Sequence, residues 1–83
     1  MKIEKTTYNV EGCKEPCYEV LSDDGYVLVR IAPCYHLVGK DTLILREYLG
    51  NDFNGEEEIS GDFDILGDID AKELAKRFCI YLN

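Results

Sequence analysis

The chain has 83 residues, and 17 acidic against 9 basic side chains give it a net charge of −8. That length fits one domain, and the acidic surplus argues against nucleic acid or an anionic membrane as the direct partner. No apolar run approaches the roughly 18 residues of a bilayer span, and Met1-Lys2-Ile3-Glu4-Lys5-Thr6 lacks the apolar core of a secretory signal, so a cytoplasmic protein is expected.

Residues 2–10 alternate, with Thr6, Tyr8 and Val10 on one side, as a strand does. Glu11-Gly12-Cys13-Lys14-Glu15-Pro16 reads as a turn or loop, and Cys17–Leu21 as a second strand. Ser22-Asp23-Asp24-Gly25 then predicts a hairpin, because Asp-Gly suits the positive φ angles of a type I′ turn. Tyr26–Ala32 is almost continuously apolar, which fits a central strand, and Pro33 ends it or marks a bulge. Cys34–Val38 offers a further strand, with Gly39-Lys40-Asp41 as its turn.

Thr42–Leu49 satisfies two templates. Leu43, Leu45 and Leu49 form a strand face interrupted by Glu47, while Asp41 as cap and Gly50 as terminator would suit a short helix. The strand is slightly favoured. Residues 50–61 are acidic and rich in glycine and read as a polar loop. Residues 70–82 read as a helix, with Asp70 as N-cap, Glu73 completing a capping box and Ile69 stapled to Leu74. Leu74, Phe78 and Tyr81 or Leu82, flanked by Ala71 and Ala75, would be its buried stripe. The expected fold is α+β: a single domain over 1–83 with an antiparallel meander of four to five strands and a C-terminal helix packed on one face.

Charge is unevenly placed. Asp52, Glu56, Glu57, Glu58, Asp62, Asp64, Asp68 and Asp70 fall within residues 51–70, which contain no Lys or Arg, and the rest of the chain is neutral. Such a block favours a cation, a basic protein surface or simple solvation. It can steer association with a basic protein or mimic a phosphate backbone. Small acidic inhibitors from phages and mobile elements share this composition.

Two constellations could hold metal. In a twelve-residue calcium loop the ligands sit at positions 1, 3, 5, 7, 9 and 12, with glycine at 6. Counting from Asp62 places Asp64 at 3, Gly67 at 6, Asp68 at 7, Asp70 at 9 and Glu73 at 12. This stretch resembles the calcium half-motif of dockerin-like modules, in which a loop precedes one helix; the resemblance implies weak calcium binding by Asp62, Asp64, Asp68, Asp70 and Glu73. It covers about 20 residues. Leu66 departs from the pattern at position 5, and Phe63 and Ile65 are apolar where such loops are polar. The same residues also read as an edge strand followed by a helix cap. Cys13, Cys17, Cys34 and His36 form a second set of soft ligands suited to zinc, although buried or exposed free thiols and a lone strand histidine are the plainer reading of the same residues.

One histidine, no tight nucleophile turn and no phosphate-cradling glycine loop make an enzyme unexpected, and no cofactor is implied. The leading expectation is a small acidic interaction protein with a basic protein partner. Asp52, Glu56, Glu57, Glu58, Asp62 and Asp64 would supply its electrostatics, and Tyr48 and Phe53 its anchors. The second expectation is a metal-binding module.

Overall fold

The computed structural model describes residues 2–33, 41–49 and 52–78. Five strands, β1 (Lys2–Val10), β2 (Cys13–Leu21), β3 (Val27–Pro33), β4 (Thr42–Leu49) and β5 (Asp52–Ser60), precede a 3-10 turn at Phe63–Ile65 and a helix α1 (Asp68–Phe78). Each strand pairs antiparallel with the next, giving one sheet in the order β1-β2-β3-β4-β5. This is the expected meander with a helix on one face, which lies chiefly over β1, β2 and β3. Among the described residues no helix is long and apolar enough to cross a membrane. The strand expected at Cys34–Val38 lies outside the described residues, as do Tyr81 and Leu82.

Turn chemistry explains the first two hairpins, in an order opposite to expectation. Glu11 and Gly12 both take positive φ, 49° and 84°, between the paired residues Val10 and Cys13. That is the type I′ signature; it lets β2 start at Cys13 rather than Cys17. Pro16 is tolerated there because it stands opposite Thr7 on β1, while the described pairing with β3 spans only Tyr18–Leu21. The Ser22–Gly25 turn does form a hairpin, but only Gly25 is left-handed, at φ 90°. Its N–H donates to the Ser22 carbonyl at 3.0 Å, and the ladder slips by one residue beside Leu21. A turn followed by a left-handed glycine and a bulge replaces the two-residue type I′ loop.

Period-two alternation sends Tyr18, Val20, Val29, Ile31, Leu43 and Leu45 to the helix side, where they pack with Phe63, Ala71 and Ala75. Thr42–Leu49 is thus the favoured strand and not a helix. The two alanines are fully buried, so α1 approaches the sheet closely. On the opposite face Cys17, Ala32 and Ile44 make a smaller cluster against Tyr8.

The expected acidic loop at 50–61 is corrected: Asp52–Ser60 is the fifth strand. An edge strand has solvent on its outer side, so its ladder to β4 holds it with few apolar side chains. Ile59, opposite Leu43, packs on the core, and Gly61 N–H closes the end by donating to the Asp41 carbonyl at 2.7 Å. The helix start is also corrected. Ala71 N–H donates to the Gly67 carbonyl at 2.9 Å, so α1 begins at Asp68 and Asp70 lies inside its first turn. Ile69 is 80% exposed and staples nothing.

Candidate functional site

Strand β5 carries four of the eight clustered carboxylates. Its register sets Glu58 opposite Ile44, Glu57 opposite Leu45 and Glu56 opposite Arg46. Alternation therefore divides them: Glu56 and Glu58 point to the face away from the helix, and Glu57 to the helix side. Glu56 meets Arg46 Nε at 3.3 Å. Among the described residues Glu57 and Glu58 have no ion pair. The other four acids act locally: Asp62 Oδ1 accepts from Asp64 N–H at 3.0 Å, capping the 3-10 turn. Asp68 and Asp70 sit in the first turn of α1, where the helix dipole favours negative charge. The block that is contiguous in sequence thus resolves into an acidic sheet edge and a capped helix entry.

A bulge adds an apolar end to that edge. Tyr48 pairs with Phe53 and Glu47 with Gly55, so Asn54 is the extra residue on β5. The inserted residue reverses the alternation and carries Phe53 to the same face as Tyr48. Their rings meet edge to face at 6.1 Å and 72°. Phe53 is 58% exposed and Leu49, beside it, 54%. Tyr48 and Phe53, expected as neighbouring anchors, are thereby brought together, with Asp52 at the same hairpin end.

The face away from the helix is crossed by an ion row that residue-by-residue reading missed. Glu4, Glu19, Arg30, Arg46 and Glu56 stand in register on all five strands. Arg30 donates from Nε and Nη2 to Glu19 and from Nη1 to the Tyr48 hydroxyl. Its guanidinium also lies 4.8 Å from the Tyr8 ring centre and 5.4 Å from that of Tyr48. Burial opposes the Arg30 charge, but Glu19 and Tyr48 outweigh it and hold the pKa above its ordinary value. Its signal in sequence is positional: these residues share a face only once the pairing register is known.

On the helix side a groove of about 170 Å³ opens between α1 and the β4–β5 pair. Gly55 and the nearly buried Val29 and Leu45 form its apolar floor, with the fully buried Ala75 behind them, and Glu47, Glu56 and Glu57 line its wall. A second hollow of about 300 Å³, lined in part by Asp62, Leu66, Asp70, Glu73 and Arg77, flanks the helix entry.

Among the described residues the expected metal ligands are not brought together, and no three acidic, cysteine or histidine side chains converge. Asp62 is engaged as a cap, and Phe63, 4% exposed, turns into the core where a calcium loop would need open polar backbone. Asp64, Asp68, Asp70 and Glu73 follow on a 3-10 turn and helix instead of encircling a point. Cys13 and Cys17 belong to one extended strand, about 13 Å apart at four residues' rise, too far to share a zinc ion with bonds of about 2.3 Å. Cys13 is exposed and Cys17 buried; Cys34 and His36 lie outside the described residues. No protein-family model, curated protein or solved structure matches the chain.

Proposed function

We propose that the chain is a small non-enzymatic interaction protein that docks on a basic protein surface through the outer edge of β5. One observation carries this reading: among the described residues a nine-residue strand ends the sheet, and it shows carboxylates on both of its faces. An open edge offers unpaired backbone donors and acceptors to an incoming strand. The carboxylates then select its chemistry, because they oppose self-pairing and attract cations. Phe53, Leu49 and Tyr48 supply apolar area at one end of the same edge.

The test is affinity capture from native lysate by the wild-type chain and by a triple variant, Glu56→Ser, Glu57→Ser and Glu58→Ser. The variant's fold is checked by circular dichroism. A basic protein should be retained at low salt and released as the Debye length shrinks below about 10 Å, and the variant should not retain it. Equal recovery on both, at all salt concentrations, would refute the proposal.

A further inference from the structure

We infer that the groove between α1 and the β4–β5 pair binds one lysine or arginine side chain of the partner strand that adds to β5. This rests on the edge-docking reading and specifies what that edge recognises. The groove has two chemically distinct parts. The bare Cα of Gly55 and the nearly buried Val29 and Leu45, with the fully buried Ala75 behind them, make an apolar floor, and Glu47, Glu56 and Glu57 line the wall. Its volume of about 170 Å³ exceeds the about 150 Å³ of an apolar cavity that holds benzene, so the carbon chain of a long basic residue fits. Such side chains bury an aliphatic stem while keeping the charged head at a polar rim.

Position and charge agree on the same occupant. Glu57 lies on the outermost strand at the row Lys5–Tyr18–Ile31–Leu45–Glu57, whose middle members are apolar and whose far end already carries a cation. A strand paired beyond β5 would extend this row by one position on the helix side. A side chain there lies next to Glu57 and faces the groove. Gly55 has the same orientation two residues away, and a Cβ built on it meets nothing within 4 Å. A longer side chain at position 55 would therefore fill the groove without disturbing backbone.

The probes are n-butylammonium, which reproduces a lysine side chain, n-butanol as its neutral counterpart, and an eight-residue peptide of alternating lysine and threonine. Each is titrated into the ¹⁵N-labelled full chain. Butylammonium should shift the amide signals of Gly55, Glu57 and Ala75, and butanol should shift them far less. Gly55→Leu should abolish that response and weaken the peptide by about tenfold, the loss of one well-placed contact. Glu57→Gln should weaken both probes, and Glu58→Gln only the peptide. A butylammonium response that persists in Gly55→Leu, or none in the wild type, overturns the inference. Salt-sensitive peptide binding that Gly55→Leu leaves unchanged also overturns it but preserves edge docking. A groove response without peptide binding supports the groove and refutes the edge reading.

Discussion

Arg30 and Glu19 face each other across β2 and β3, and two guanidinium nitrogens close on the same carboxylate oxygen, Nη2 at 2.9 Å and Nε at 3.1 Å. The Arg30 side chain is 22% exposed and that of Glu19 16%. Removing one member of a fully buried pair costs about 3–5 kcal/mol, because the other charge is stranded. With water still reaching both, Glu19→Ala is expected to lower the unfolding free energy by about 2 kcal/mol. Adding Arg30→Met should recover part of that loss, since no buried charge then remains. Urea denaturation of the two single variants and the double variant measures the coupling. Strictly additive losses would show that the pair is not a unit.

The Tyr18 hydroxyl reaches across the core edge to donate to the Leu66 carbonyl at 2.6 Å. It tethers the segment between the 3-10 turn and α1 to the second strand. Burial, and then the Asp68 carboxylate, raise the phenol's pKa, so it remains a neutral donor. The Tyr18 ring keeps its tilted contact with Phe63 at 5.4 Å whether or not the hydroxyl is present. Tyr18→Phe should therefore cost about 1 kcal/mol by thermal or urea unfolding. It should also speed amide exchange at Ala71, whose N–H bond to Gly67 starts the helix. Unchanged exchange there would separate the hydroxyl from helix docking.

Glu11 occupies a left-handed conformation, φ 49°, that a residue with a Cβ adopts at a cost of about 1–2 kcal/mol. The side chain is exposed and makes no hydrogen bond within the described structure. Asn-Gly is the preferred pair for this turn type. Glu11→Asn is expected to stabilise the fold by about 0.5–1 kcal/mol, read as a higher urea midpoint. A lower midpoint would mean that the Glu11 carboxylate does more than occupy the turn.

How much of this could be read beforehand follows from which residues carry local signals. The apolar run at 27–32 and the alternation at 2–10 mark strands on their own, and Leu43, Leu45 and Ala71 fall on the core side as periodicity requires. Asp24-Gly25 locates a hairpin but not its turn type, because a bulge beside Leu21 absorbs the twist that a type I′ loop would otherwise supply. Residues 52–60 conceal a strand because an edge position relaxes the demand for apolar side chains. The acidic content of the candidate edge is visible in composition. The bulge that swings Phe53 to Tyr48, the row through Arg30 and the groove beside Gly55 all depend on cross-strand register, which no single segment encodes.

Gly61 follows β5 where the chain passes close to Leu43. A Cβ built on it would lie 2.6 Å from Leu43 Cδ1 and 3.1 Å from Cγ. Leu43 is only 1% exposed, so its side chain has no free space to swing into. Gly61→Ala is expected to cost about 1–3 kcal/mol through overpacking. Leu43→Val in the same chain should relieve part of that cost, because trimming the branch returns the room the methyl needs. Losses that simply add would place the strain in the backbone instead of in this contact.

Cys17 gives the fold a dependence on alkaline pH. Its thiol is fully buried. Burial first, and then the Glu19 charge, push its pKa from 9.0 up to about 11, against a smaller opposing pull from Arg30. In the unfolded chain the thiol ionises near its ordinary value, so below about pH 9 both states are protonated and the full stability is present. Between about pH 9 and 11 the unfolded state releases its proton while the folded state retains it, and stability falls by about 2–3 kcal/mol. Cys17→Ala lacks this titration and differs from wild type by a roughly constant cavity cost. The stability gap between the two proteins should thus be widest below pH 9 and narrow as pH rises toward 11, when followed by urea unfolding under reducing conditions. A gap that does not change with pH would mean that Cys17 ionises as easily in the folded protein as in the unfolded one, and that the sheet face around Ala32 and Ile44 admits water.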